Sequence, residues 1–252
     1  MIEKKERIQL PLIALRGLTV FPNMAVSFPV GRQQSLDALE TADETDKRVF
    51  LVAQRDTEDA SPKQAGLYEF GVVAVVKQIL KLPGNLTHAI VEGEERGRLE
   101  TVQKKRKCEY ANVTTIAQDI PGLPDIHTAA EMRMAQDLYE AYTKLVPNTS
   151  AVDLMPSIMA ATKPGRLADI IASGLEIPFE QKQRLLEMLN PYDRMRTVIE
   201  IMQYEQKVLR LKREIESKTK ANIDRSQKEY FLREQMKVIQ EELGDKDGIG
   251  AD

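Results

Sequence analysis

The stretch Tyr192 to Leu243, YDRMRTVIEIMQYEQKVLRLKREIESKTKANIDRSQKEYFLREQMKVIQEEL, contains neither glycine nor proline. At 1.5 Å per residue it reads as one helix about 75 Å long, too long for the interior of a single globular domain. Asn190 can cap it, Pro191 suits the first helical position, and Gly244 stands where helices commonly end in the left-handed conformation. Met195, Ile199, Met202 and Leu209 recur by fours and threes, as do Val208, Leu211 and Ile215, which predicts a buried face over this part. From Glu216 to Glu229 the only large apolar residue is Ile223, and Glu214/Lys218 and Glu229/Arg233 are spaced for pairing one turn apart. This middle is expected to run through solvent. Apolar residues return in Tyr230, Phe231 and Leu232, and Leu232, Met236, Ile239 and Leu243 restore the four-three-four spacing at the tip.

Ahead of the long helix the same periodicity predicts shorter ones: Thr128 to Val146, another around Leu154 to Ala161, Gly165 to Ser173, and Phe179 to Leu189 after Pro178. They are expected to pack on the proximal part of the long helix. Further upstream the period changes from about 3.6 to two, and Pro121, Gly122 and Pro124 mark the change. Residues 8 to 116 then read mostly as strand. Ile8 to Leu15 is apolar and closed by Arg16-Gly17; Met24, Val26, Phe28 and Val30 alternate; Gln33 to Ala42 is a short helix; Val49 to Ala53 is a buried strand. Val72 to Leu82 and Leu86 to Val91 flank Pro83-Gly84-Asn85 as a hairpin. Gly93 to Gly97 reads as another turn, with strands at Arg98 to Val102 and Glu109 to Ile116 completing a sheet of roughly six. The expected fold class is α+β: a β-rich domain over 1–119, a helical subdomain over 120–190, a long helix over 191–244 that packs proximally and projects distally, and a linker over 245–252.

Composition sets outer limits. With 42% hydrophobic residues in 252 and a net charge of −3, the chain can build an ordinary core and has no overall pull on nucleic acid or anionic membrane. Its single cysteine, Cys108, cannot form an internal disulfide, which fits a reducing, cytoplasmic setting. No segment approaches the roughly 20 apolar residues of a membrane span.

No catalytic pattern emerges. Gly66 to Gly71 has the glycine spacing of a phosphate loop, but Val72 and Val73 stand where Lys and Ser/Thr are needed. His88, His127 and Cys108 form no ligand cluster at recognised spacing, so no metal is expected. Lys104 to Lys107 reads as a solvated turn more readily than as a nucleic-acid patch, given the acidic total.

Several stretches together resemble one family. Leu10-Pro11-Leu12-Ile13-Ala14-Leu15-Arg16-Gly17, Val20-Phe21-Pro22, Val30-Gly31-Arg32 with Ser35, Gln78 to Pro83, Val91-Glu92-Gly93, Pro164-Gly165-Arg166-Leu167-Ala168-Asp169, and Tyr230 to Met236 followed by Glu242-Leu243-Gly244 are similar, in order and spacing, to the N-terminal region of the ATP-dependent Lon proteases. Pro83-Gly84-Asn85 departs from it, standing where the family more often has an Asp-Gly turn. The resemblance implies a PUA-like β pseudo-barrel, then a helical bundle ending in one very long helix. ATP, magnesium and a Ser-Lys protease site are implied for other parts of such a protein, and none of their residues maps here. Two roles follow as expectations. One is capture of unfolded or damaged proteins by an apolar patch at Phe21, Pro22, Met24, Leu80, Leu82 and Pro83. The alternative is an assembly element for a homohexamer, acting through the helix tip at Tyr230, Phe231, Leu232, Met236 and Ile239. For the patch residues, plain core packing is the competing reading.

Overall fold

The computed structural model describes residues 6–84, 86–105, 107–116, 124–146 and 152–246, with the side chains of Leu86 and 242–246 excepted. The expected features at Asn85, Arg106, Pro121-Gly122, Pro147-Asn148 and 247–252 lie outside the described residues.

Six strands form one sheet: β1 (Arg7–Leu15), β2 (Ala25–Val30), β3 (Arg48–Ala53), β4 (Phe70–Leu82), β5 (Leu86–Lys105) and β6 (Cys108–Ile116), with helix α1 (Gln33–Asp43) between β2 and β3. Their order is β2-β5-β4-β3-β1-β6, and a further β5–β6 pairing closes the sheet on itself. Among the described residues only β1 and β3 run parallel, Leu12 opposite Phe50 through Leu15 opposite Ala53, with α1 in the connection. The first strand also meets the last, Arg7 opposite Thr114.

The apolar run at Val49–Ala53 is explained by burial on both sides, as a strand with two covered faces requires. Val49 and Leu51 join Ile13, Phe28 and Val91 under α1, whereas Phe50 and Val52 join Leu10, Leu12 and Val113 in a second cluster.

Gly93 to Gly97 is not a turn. It lies inside β5, a single strand of 20 residues whose first half sits between β2 and β4 and whose second half pairs with β6. A Cβ at Gly93 would come 2.4 Å from the Phe21 carbonyl oxygen, and one at Gly97 would come 2.4 Å from Val113 Cγ1. These glycines serve close backbone approach rather than chain reversal.

The helices that follow are α2 (Ile126–Thr143), α3 (Met155–Ala160), α4 (Pro164–Gly174), α5 (Phe179–Glu187) and α6 (Pro191–Lys246). The Asp125 carboxylate caps α2 by accepting from the Thr128 N–H at 2.7 Å. The Asn190 side chain accepts from the Tyr192 N–H at 3.0 Å, so the entry to α6 is built as its sequence indicates. The helix continues two residues past Gly244, since a glycine in a helix costs only about 1 kcal/mol and need not end it.

By residue contacts the chain divides into two compact units, 1–203 and 204–252. The sheet and the helices up to Gln203 therefore fall in one unit instead of separating near residue 120. In that unit Met195, Val198, Ile199 and Met202 of α6 are buried. Polar side chains join its strands to its helices. Arg96 of β5, fully buried, donates to both carboxylate oxygens of Asp169 on α4 at 2.7 and 2.6 Å, and to the Leu186 carbonyl at 2.8 Å. Arg194 of α6 brings its Nε within 2.9 Å of the same carboxylate, an ion contact off the hydrogen-bond direction, and donates to the Met188 carbonyl. Burial pulls Arg194 down to about 10, against the opposing pull of Asp169. The Pro164–Asp169 motif is thereby explained: proline opens α4, Gly165 leaves no side chain where a Cβ would stand 2.9 Å from the Arg194 guanidinium, and Asp169 bridges two arginines.

The described part of the second unit, 204–246, is helix. Val208, Leu211 and Ile215, expected on a buried face, are exposed, so the apolar spacing in this part of the helix does not mark buried positions. Glu214 and Lys218 pair at 2.6 Å as expected, while Glu229 pairs backwards with Arg225 at 3.3 Å. Among the described residues no helix is long and apolar enough to cross a membrane.

Candidate functional site

The expected apolar patch is two places. Phe21 is 1% exposed and Pro22 is buried, which corrects their expected role as contact residues. The reason is backbone pairing: the Asn23 N–H donates to the Gly93 carbonyl at 2.7 Å and the Gly93 N–H to the Met24 carbonyl at 2.9 Å. The turn is thus pressed onto β5, and Met24 remains half-buried beside it. Leu80, Leu82 and Pro83 lie at the far end of the β4–β5 hairpin, where Leu82 pairs with Leu86. The seven positions from Leu86 to Gly93 along β5 correspond to roughly 24 Å. Leu82 is 45% exposed, Pro83 is exposed and Leu80 is half-buried. The helix residues Tyr230, Phe231, Leu232, Met236 and Ile239 are all exposed, between 49% and 67%.

A groove absent from the sequence reading lies on the first unit. The C-terminal end of β1, the turn after it, β2 and the start of α1 border a half-open depression of about 780 Å³. Its floor is the buried core itself, Ile13, Leu15, Phe28 and Val30 with Ser35, while the half-buried Leu18 and Arg32 and the exposed Arg16 and Ser27 form its accessible rim. That size and make-up suit a binding cleft, which typically spans roughly 300–1,000 Å³ with few polar groups among apolar walls.

The charged side of the groove is held from beneath. Gln54, fully buried after β3, donates through its Nε2 to the carbonyls of Asp56 and Asp59 at 2.6 and 3.0 Å. Its amide oxygen therefore faces Arg32, which donates to it at 2.9 Å and also to the Ala14 carbonyl. Arg16 reaches the Asp59 carbonyl at 3.4 Å. Both guanidiniums thus meet neutral acceptors, and among the described residues neither has a carboxylate within ion-pair distance. Burial, followed by the charge on Arg16, lowers the pKa of Arg32, against weaker opposite pulls from Asp59 and Glu109. Two like charges sharing a partly desolvated place favour an anion between them.

The remaining candidates carry no chemistry. Among the described residues no group of His, Cys, Asp and Glu could hold a metal ion. Cys108 is buried beneath α1, 3.7 Å from the Thr41 hydroxyl, and burial pushes its thiol pKa up. Gly66 ends a 3-10 turn and Gly71 lies in β4, where a Cβ would come 2.3 Å from the Leu51 carbonyl oxygen; this is the entry to a strand, not a phosphate loop. Lys105 lies over the Tyr110 ring at 5.6 Å at the end of β5.

Comparison with known proteins places this architecture. The family model described as the ATP-dependent protease La (LON) substrate-binding domain matches residues 9–204. Lon proteases of Bacillus thuringiensis and Clostridium acetobutylicum are each 39% identical to the chain, over 247 and 245 residues, and that of Brevibacillus choshinensis is 38% identical over 248. These alignments cover 96–98% of this chain but only 31–32% of the relatives, so the chain spans about a third of their length. Among solved structures, the N-terminal domain of the Mycobacterium avium complex Lon protease aligns with a TM-score of 0.61 at 22% identity, covering 78% of this chain and 98% of that one. The Lon N-terminal domain protein from Xanthomonas campestris aligns at 0.55 and 12%, covering 76% and 97%. At these identities the two structures share the fold.

Proposed function

Since this chain belongs to the Lon substrate-binding domain family, we propose that it captures unfolded or damaged proteins through their exposed apolar segments and presents them to the ATPase and protease parts of a full-length Lon protein. The observation that carries this reading is the apolar groove between β1 and β2, on a unit whose described residues hold no metal-ligand cluster. Leu82 and Pro83 at the hairpin end and Met24 beside Gly93 offer further apolar contacts, with Phe21 and Pro22 supporting the turn from below. Removing ~200 Å² of a client's apolar surface from water contributes roughly 5 kcal/mol before the cost of ordering the client. Binding of this kind is weak and tolerant of sequence, which suits a receptor for many unfolded chains.

The test is a titration of the 252-residue chain with native and with thermally unfolded forms of one client, read by residue-resolved amide NMR. Shifts around Leu15–Arg32 or the hairpin end, with the unfolded form only, are expected. A folded chain that shows no shifts with either form refutes capture.

The exposed stripe of Leu232, Met236 and Ile239 favours a second role, in assembly with other subunits of a homohexamer. Polar substitutions at these three positions then abolish oligomers of the full-length protein, and an unaltered hexamer refutes the role. ATP and magnesium belong, on this proposal, to the other two-thirds of such a protein.

A further inference from the structure

The β1–β2 groove contains more than a capture surface for apolar residues needs. A site that only removed apolar area from water would gain nothing from two guanidiniums, since a neutral client leaves both charges to be partly desolvated without compensation. Arg16 and Arg32 nevertheless stand together on its wall, and Gln54 is braced by two backbone carbonyls so that its oxygen holds Arg32 in place. Asp59 offers Arg16 its backbone carbonyl instead of its side chain. The hydrogen-bond acceptors of these arginines are neutral, and the Asp59 and Glu109 carboxylates that act on Arg32 do so from beyond ion-pair distance, so the pair's charge is only partly offset and an incoming anion can still meet it.

Resting on the capture reading, we propose that this groove selects extended client segments in which an acidic side chain lies among apolar residues. The carboxylate would meet Arg16 and Arg32 while its neighbours occupy the space beside Leu18, Phe28 and Val30. The charge complementarity fixes the class of occupant: a side-chain carboxylate in an unfolded polypeptide. Charge-assisted bonds to a guanidinium are directional, so such a carboxylate also sets the register of a segment that apolar contact alone would let slide. Acidic residues that are solvated on a folded protein become flanked by exposed apolar ones when the chain unfolds, so the selected pattern is a mark of unfolding.

Short labelled peptides test this with the whole 252-residue chain. All are N-acetylated and C-amidated, alternate Leu and Ser, and carry either Glu or Gln at the centre; one further peptide has Gln at the centre and a free C-terminal carboxylate. The Glu peptide is expected to bind at least about fivefold tighter than its Gln twin at low salt, with the gap narrowing as salt rises. The preference should vanish in the Arg16→Gln/Arg32→Gln variant. Ser27→Trp, at an exposed β2 position that lines the groove, should weaken both peptides without touching either arginine. If the double variant does not fold, Arg16→Gln alone should at least halve the preference, because Arg16 is exposed.

Equal binding of the Glu and Gln peptides overturns the selection while leaving apolar capture standing. Binding of neither overturns both. A preference that is undiminished in the arginine variants, or binding of both peptides that is undiminished in Ser27→Trp, places the site elsewhere and overturns the proposal. Tighter binding of the free C-terminal acid than of the Glu peptide overturns the assignment to a side chain.

Discussion

Replacing Asp169 with Asn keeps the shape of the side chain and removes the one charge that Arg96 and Arg194 share. The side chains of both arginines are 0% exposed and that of Asp169 is 3% exposed, so water cannot take over the lost interaction. Removing one partner of such a cluster costs about 3–5 kcal/mol, chiefly by leaving buried charge uncompensated. For a unit of this size each kcal/mol lowers Tm by about 2–4 °C, which gives an expected fall of about 6–20 °C for Asp169→Asn. Far-UV circular dichroism of the isolated chain, by heat and by urea, measures it. A second variant separates charge from packing. Arg194→Met in the Asp169→Asn background removes one stranded guanidinium, so the double variant should be more stable than the sum of the two single changes predicts. A Tm within about 2 °C of the parent for Asp169→Asn, or strict additivity in the pair, refutes the view that this carboxylate ties β5 to α4 and α6.

Three further outcomes are expected. Gly93→Ala should destabilise the chain by about 1–3 kcal/mol or more, because the new methyl meets the Phe21 carbonyl, whereas Gly31→Ala, with nothing within 4 Å, should be near neutral; equal urea midpoints would refute the close-approach reading of Gly93. Burial raises the Cys108 thiol above its ordinary pKa of 9.0, so the unfolded chain loses this proton at lower pH than the folded one; stability is unaffected below pH 9 and falls as pH rises above it, and urea midpoints at pH 8 and 10 should show that fall in the parent and less of it in Cys108→Ala. Leu82→Ser should change stability by less than about 0.5 kcal/mol, because the side chain is already 45% exposed, yet weaken binding of an unfolded client in a fluorescence titration; unchanged affinity would take the hairpin end out of the capture surface.

The elements that could be read from the sequence are those with local causes. Alternation at Met24 to Val30, the Pro83-Gly84 reversal, and Asn190 followed by Pro191 each act within a few residues, and each stands where its pattern places it. Gly93 and Gly97 misled because glycine serves turns and close contacts alike, and only the strand crossing above distinguishes the two. Phe21 and Pro22 misled for the same reason from the other side, since what covers them is some 70 residues away along the chain. The groove has no local signal at all: Arg16 and Arg32 converge because β1 and β2 frame one cleft, and nothing in their spacing says so. Asp169 did leave a trace. It is a charge among Leu167, Ala168, Ile170 and Ile171, and an acid inside an apolar helix that must be buried calls for a cationic partner.

The pairing of Arg7 with Thr114 sets a timetable for biosynthesis. Of the six strands, β1 leaves the ribosome before the others and has to wait for β6 before the sheet can close, and contacts so distant along the chain are slow to form. At ordinary rates of translation the interval between Leu15 and Ile116 is about 5–20 s. Throughout it the inward sides of β1 and β3 lack their covering. The nascent chain of this domain should therefore be sensitive to protease until Ile116 has emerged and become resistant soon afterwards. On the proposed function, the domain is thus for some seconds a chain of the kind that it would itself bind.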